Sequence, residues 1–191
     1  MKVIAFNGSP RKNGNTSALI NMVLDELKRE GIETELVQLG GRQIHGCRAC
    51  FKCLANQDRR CAQDDDVLNE FLAKMIEADG MILGSPTYHG DITAELKALI
   101  DRAGLVSKLN GTLFRRKVGA AVVPVRRAGS VHAIHSIHNL FLMHEMIIPG
   151  SSYWNMAIGF DKGDVEQDEE GVATMKTLGQ TMAWLLKQLN S

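Results

Sequence analysis

Two hydrophobic rhythms take turns along this chain. An unbroken apolar run at 3–6 gives way to Leu19, Met22, Val23 and Leu27, spaced as one face of a helix over residues 17–30. Gly31 stands where a helix C-cap is expected. Residues 33–39 alternate polar and apolar, the pattern of a half-buried strand at a sheet edge. Farther on, Val67, Leu68, Phe71, Leu72, Met75 and Ile76 mark an amphipathic helix, opened at its positive end by the aspartates at 64–66. An apolar strand at 81–84 precedes a helix carrying Leu96, Leu99 and Ile100, and another at 118–125 precedes a helix over 131–146. A last strand that includes Trp154 and a terminal helix over 171–190, with Met175, Leu178, Met182, Leu185 and Leu189 inward, complete the series. Between the edge strand and the second helix, residues 40–66 follow neither rhythm, which predicts one long loop, and long loops inside compact domains are usually functional.

Strands alternating with helices, with central strands apolar throughout, predict a parallel sheet covered on both faces. Right-handed crossovers make this an α/β, doubly wound, three-layered fold with five strands in the order 2-1-3-4-5. At 191 residues and 45% hydrophobic, a single domain over 1–191 with a sizeable core is expected. The 22 basic and 22 acidic side chains balance, so no global field draws the chain to nucleic acid or to an acidic membrane. No apolar run is long enough to span a bilayer, and the opening Met1-Lys2-Val3-Ile4 reads as a strand rather than a leader, so the expected location is cytoplasmic. Leu140, Phe141, Leu142 and Met143 are apolar nearly all round their helix, which predicts burial. With Tyr153 and Trp154 they point to an interface of a homodimer or homotetramer, while Met143 and Met146 are expected to fill core gaps. His132, His135 and His138 drift around their helix and are expected at a surface or interface rather than on a metal.

In such a sheet a ligand sits at the carboxyl ends of the strands, where the winding reverses, and three loops emerge there. The first, residues 6–17, joins the opening strand to the first helix through two glycines, several hydroxyls and a cation. A helix N-terminus with unpaired N–H groups behind such a loop is an anion site, so Ser9, Arg11, Asn15, Thr16 and Ser17 are candidate phosphate ligands. The loop is not a Walker loop. Gly8 to Gly14 is one residue too long, and Asn15-Thr16 stands where Lys-Ser/Thr is required.

The run Gly-Ser-Pro-Arg-x-x-Gly-Asn-Thr at 8–16 resembles the NAD(P)H-dependent FMN reductase and iron–sulfur flavoprotein families of flavodoxin-like proteins, in which this turn holds the FMN phosphate. The second loop, with Pro86, Thr87, Tyr88, His89, Gly90 and Asp91, resembles the Ser-Pro-x-Tyr-x-Gly loop by which those relatives hold the isoalloxazine. The third carries Arg126, Arg127, Ala128 and Gly129; in the relatives it flanks the flavin, and an arginine there would stabilise charge building on a reduced ring.

All four cysteines fall in the patternless segment as Cys47-x2-Cys50-x2-Cys53-x7-Cys61. Thiols at i, i+3 and i+6 converge on one small object, and bacterial ferredoxins open with the same compact spacing for a [4Fe–4S] cluster. Zinc sites usually show two separated C-x2-C knuckles. The segment resembles that of iron–sulfur flavoproteins, and it also resembles cysteine loops of cluster-free relatives, whose thiols are free or pack at a subunit interface. Arg48, Lys52, Arg59 and Arg60 fit either: counter-charges to a thiolate cluster, or a solvated loop. The resemblance implies an FMN-dependent oxidoreductase. With the cluster it would be an electron carrier served by a ferredoxin-type donor; without it, an NAD(P)H-dependent flavin or quinone reductase. Hydride transfer to a flavin requires no protein acid or base, so no catalytic residue is assigned. A module binding a non-redox phosphate ligand is the alternative use of the same cradle.

Overall fold

The computed structural model describes residues 1–190. Strands β1 (Lys2–Asn7), β2 (Glu33–Gln38), β3 (Gly80–Gly84), β4 (Val118–Val125) and β5 (Met156–Ile158) pair in parallel in the order 2-1-3-4-5. Helices α1 (Asn15–Arg29), α2 (Lys52–Asn56), α3 (Leu68–Glu77), α4 (Ala94–Leu109), α5 (Ser130–Met143) and α6 (Glu169–Leu189) complete the described elements. The expected order and layering are the ones found.

The sheet separates two cores, and the two-residue period of a strand explains why its central members are apolar throughout. Ile4, Phe6, Met81, Leu83, Ala121 and Val123 face the core built with α3, α4 and α5. Their neighbours Val3, Ala5, Ile82, Ala120 and Val122 face the other, built with α1 and α6. β2 lies at the edge, where Glu35 pairs with Lys74 and, at 3.3 Å, with Lys2. Among the described residues, no helix is long and apolar enough to cross a membrane.

Several expectations need correction. The segment at 40–66 is not all loop: α2 forms within it. Trp154 lies outside the last strand and is half exposed, because the Asn155 carbonyl accepts from Val123 N (3.0 Å) and pairing with β4 begins only at Met156. On α5, Leu140 and Phe141 are buried but Leu142 and Met143 face out, at 66% and 64% exposure. Met146, not Met143, fills the core gap there. On α6 the inward face holds through Met175, Leu178 and Met182, but Leu189, in the last turn, is nearly half exposed. Of the α5 histidines, His132 is on the surface, whereas His138 packs inward near the Phe141 ring (centroids 6.1 Å apart), and burial pushes its pKa down, as does neighbouring His135.

Candidate functional site

The winding reverses between β1 and β3, and the loops after both strands are tied together there: Gly8 N donates to Gly84 O at 2.8 Å. Buried Asn7, at the end of β1, anchors the first loop. Its Oδ1 accepts from Ser9 N (3.1 Å), and its Nδ2 donates to Gln38 Oε1 (2.8 Å). Gln38 in turn donates to the carbonyls of Ser9 (2.7 Å) and Gly40 (2.8 Å), fastening the edge strand to the loop. Arg11 N donates to Ser9 Oγ at 3.2 Å, and the turn closes with Gly14 N on Arg11 O at 3.2 Å. Gly14 is the N-cap of α1 in extended conformation, with no side chain bonding the amides of the first turn. Those amides, at 15–17, are donors without a cap at the positive end of a helix dipole, a built anion seat.

The five predicted phosphate ligands divide. Ser9, Arg11 and Asn15 line one cleft of about 270 Å³. The Asn15 side chain is already engaged, donating to Asp161 O (2.9 Å) and accepting from Gly163 N (2.9 Å). Ser17 Oγ donates back to Gly14 O (2.8 Å), and Thr16 is buried with its methyl against Gly84. Asn15, Thr16 and Ser17 therefore offer an anion their amides, while their side chains brace the loop.

In the second loop, Tyr88 and Asp91 exchange backbone hydrogen bonds at 2.8 and 2.9 Å around His89 (φ 50°) and Gly90 (φ 82°). Positive φ at both central residues is the tight two-residue hairpin geometry. Pro86, Thr87 and half-exposed Tyr88 line the cleft. Asp91 is turned away: its Oδ1 accepts from Ile92 N (2.7 Å) and it faces His132 at 3.7 Å. A hydrogen bond from Ser136 and that amide hold its carboxyl below the usual range, against the opposing effect of burial. The third loop packs directly on the second. Gly129 has φ +94°, and a Cβ there would stand 2.9 Å from Gly90 Cα and 3.2 Å from the Thr87 methyl. Arg126 lines the cleft with its guanidinium 4.9 Å from the centre of the Phe160 ring, a cation–π contact. Arg127, Ala128 and Gly129 line a neighbouring recess instead, beside Trp154 and Ile158.

Pro124, Gly159 and Phe160 also line the cleft and were not anticipated. Placing the last strand around Trp154 hid the signal: with β5 at Met156–Ile158, residues 159 and 160 fall at the carboxyl edge.

The second constellation stands beside α4. Cys47, Cys50, Cys53 and Cys61 all line one recess, floored by Leu105 and Val106. All four are free thiols; Cys47 and Cys50 are exposed, Cys53 is buried and Cys61 lies between. Left-handed backbone at Ala49, Phe51, Gln57 and Arg59 folds the segment around that recess, at roughly 1–2 kcal/mol for each such residue. Such strain persists only where the surroundings over-determine it. Here the ties come from neighbouring helices and their ends. Asn110 donates to Cys53 O (3.1 Å) and accepts from Arg59 N (3.0 Å), Gln57 donates to Leu109 O (2.7 Å), and Asn69 accepts from Cys61 N and donates to Cys61 O, both at 2.9 Å. Burial pushes the Cys53 thiol up, with Cys61 and Cys50 adding to the shift.

Arg102 of α4 was likewise not anticipated. Its side chain and that of Asp66 are buried and paired, so Asp66 serves this ion pair and the amides of His45 (2.8 Å) and Leu68 (3.1 Å) rather than a helix dipole alone. Burial alone would raise the Asp66 carboxyl, but Arg102 and the two amides bring it below the usual range. Arg102 Nη2 donates to Gln63 O (2.8 Å) and lies 3.5 Å from Cys61 Sγ. Among the described residues, three buried side-chain nitrogens lack a partner, and two of them, Arg102 Nε and Gln63 Nε2, belong to residues lining the cysteine recess. The signal for Arg102 was a lone charge within the apolar stripe of Leu99, Ala103 and Val106. Among the described residues, one trio of metal-binding groups lies within 4.8 Å, His45, Asp65 and Asp66, and no trio of thiols does. The Arg102 pairing already balances Asp66.

The sequence profile of NADPH-dependent FMN reductases matches residues 1–161. The chain is 40% identical over 194 aligned positions to an iron–sulfur flavoprotein of Methanocaldococcus jannaschii, spanning 98% of both. It is 36% identical over 190 positions to an iron–sulfur flavoprotein of Methanosarcina thermophila, spanning 98% of this chain and 96% of that one. Among solved structures, a WrbA-like flavodoxin of Agrobacterium tumefaciens superposes with a TM-score of 0.67 at 15% identity, over 98% of this chain and 97% of that one, a likeness of fold.

Proposed function

The chain belongs to the NADPH-dependent FMN reductase family, and from that premise we propose how an FMN-binding oxidoreductase of this sequence divides its work between two sites. Membership favours a redox use of the phosphate cradle over the non-redox alternative. In our reading the uncapped amides at 15–17, with Ser9 and Arg11, hold the FMN phosphate. Pro86, Thr87 and Tyr88 present the surface for the ring, Gly90 and Gly129 let the second and third loops close on each other, and Arg126 offers positive charge at the rim. His89 and Asp91 shape the hairpin, and Arg127 and Ala128 shape the loop behind it. The bound flavin supplies the hydride and single-electron chemistry; the protein binds, orients and shields it.

At the second site we propose a [4Fe–4S] cluster on Cys47, Cys50, Cys53 and Cys61. One observation carries this reading: four thiols share a recess with two buried N–H donors that have no acceptor in the protein. Cluster sulfurs are acceptors of that kind. A single tetrahedral zinc ion, with Zn–S bonds of about 2.3 Å, would gather its thiolates to roughly 3.8 Å, whereas no three thiols lie mutually within 4.8 Å among the described residues. A chain with both groups is an electron carrier, and its donor is a ferredoxin-type protein or NAD(P)H. Leu142, Met143, Tyr153 and Trp154, each at least half exposed, are the apolar surface that a homodimer or homotetramer would cover. Four cysteines with no disulfide among them suit a reducing compartment, in keeping with a cytoplasmic location.

The test is the absorbance spectrum of anaerobically purified protein together with iron and acid-labile sulfide analysis. The expected result is flavin bands over a broad iron–sulfur shoulder, with about four iron and four sulfide per chain. Flavin without iron would leave a flavin or quinone reductase, and no flavin after reconstitution with FMN would overturn the cradle assignment. Anaerobic bleaching of the flavin by NADH, NADPH or reduced ferredoxin then identifies the donor.

A further inference from the structure

We propose that Arg102 is a positioning residue for the cysteine site: with Gln63 beside it, it supplies N–H donors and a fixed positive charge to the cluster's sulfurs and so raises the cluster's reduction potential. The inference rests on the cluster reading above. It begins from how the guanidinium is shared. Asp66 and the His45 carbonyl (3.1 Å) take Nη1. That leaves the Nε–Nη2 edge, from which Nη2 reaches Cys61 Sγ at 3.5 Å and Gln63 O at 2.8 Å, while Nε has no partner.

An arginine kept only to neutralise Asp66 would leave that Nε unexplained, because a buried donor without an acceptor costs about 1–3 kcal/mol. The same holds for Gln63 Nε2, buried and unpaired on the wall of the same recess. Two orphaned donors and one satisfied N–H···S contact therefore converge where four sulfurs do. The arrangement is rigid: the ion pair is fully buried, with side-chain exposures of 1% and 0%, and α4 fixes the arginine's backbone. A planar fork holds two parallel N–H directions that a lysine's point charge does not reproduce. One-electron reduction at this site adds negative charge and needs no proton. A buried cation and N–H donors already in place favour the reduced state, and hydrogen bonds to sulfur and local charge are the levers that set such potentials.

The experiment is a mediated redox titration, followed by EPR, of flavin-loaded wild type, Arg102→Gln and Arg102→Lys, each with iron, sulfide and FMN measured. The expected result is a lower cluster midpoint in Arg102→Gln, an intermediate one in Arg102→Lys, and an unchanged flavin midpoint in both. Because Arg102→Gln leaves Asp66 buried without its counter-charge, the balanced double change Asp66→Asn/Arg102→Gln carries the same comparison if the single variant does not fold. An unshifted midpoint in variants that retain the cluster overturns the proposal. Loss of the cluster from all three, with fold and flavin intact, overturns it in favour of a purely structural arginine. Wild type without iron and sulfide removes the cluster reading itself, a result no variant is needed to see.

Discussion

The proposed flavin cradle and the cysteine recess are built on opposite plans. The cradle is made of the ends of regular elements: strand termini in register, a helix N-terminus and a two-residue hairpin, with much of its donor set in the backbone. Its geometry follows from the sheet, and its side chains mostly brace loops, as Asn7, Gln38 and Asn15 do. The recess is made of side chains on a segment with one five-residue helix and four left-handed non-glycine residues. Its shape is imposed from outside, by Asn69, Arg102 and Asn110. A site of the first kind is pre-formed and tolerates side-chain change. A site of the second kind depends on a few buried ties.

The sharpest way to break this contrast is to empty one site and inspect the other. Cys53→Ala, which removes the buried thiol, is expected to abolish iron and labile sulfide while leaving FMN at wild-type stoichiometry. Loss of both groups would mean that the two regions form one cooperative unit.

Acid separates them next. Asp66 titrates lower in the folded chain than in the unfolded one. Its contribution is therefore complete above the ordinary carboxylate value of about 3.9 and is lost as pH falls through the lowered one. Hydrogen exchange on the cluster-free Cys53→Ala protein should show protection across residues 41–66 collapsing below about pH 4, ahead of β4. In Asp66→Asn that protection should already be low at neutral pH.

Gly129→Ala probes the cradle. The left-handed backbone and the 2.9 Å approach to Gly90 predict a splayed second and third loop. FMN should bind about tenfold more weakly, or roughly 1.4 kcal/mol, by fluorescence titration, with iron content unchanged. The smallest effect is expected for Asn15→Ala, which frees the 159–163 loop by removing two hydrogen bonds. A net worth of about 0.5–1.5 kcal/mol for each bond, felt only indirectly by the ligand, predicts FMN weakened by about threefold.

The same contrast governs what could be read from the sequence. Strand order and the three loops were legible because buried parallel strands are apolar throughout and glycines mark where backbone must approach a ligand. Ser9, Arg11, Pro86, Thr87, Tyr88 and Arg126, from all three loops, line one cleft. The side-chain roles of Asn15 and Ser17 were not legible, since a polar residue beside a phosphate seat is equally suited to bracing it. Phe160 was missed through a boundary error of a few residues in a three-residue strand. Arg102 and Asn69 were missed for a deeper reason: their partners lie 36–57 and 5–8 residues away, and only the fold brings them together. Local rhythm carries no record of such ties.

One tie links the two plans. α4 starts beside the cradle, where Thr93 Oγ1 donates to Gly8 O at 3.0 Å, and eight residues beyond Ala94 it presents Arg102 to the thiols. At 1.5 Å per residue that is an axial span of about 12 Å. The helix thus works as a spacer bar, indexing the cysteine recess to the cleft in whole-residue steps. Sequence drift in the cysteine segment can reshape the recess, but altering its offset from the cradle would take insertion or deletion within a single packed rod.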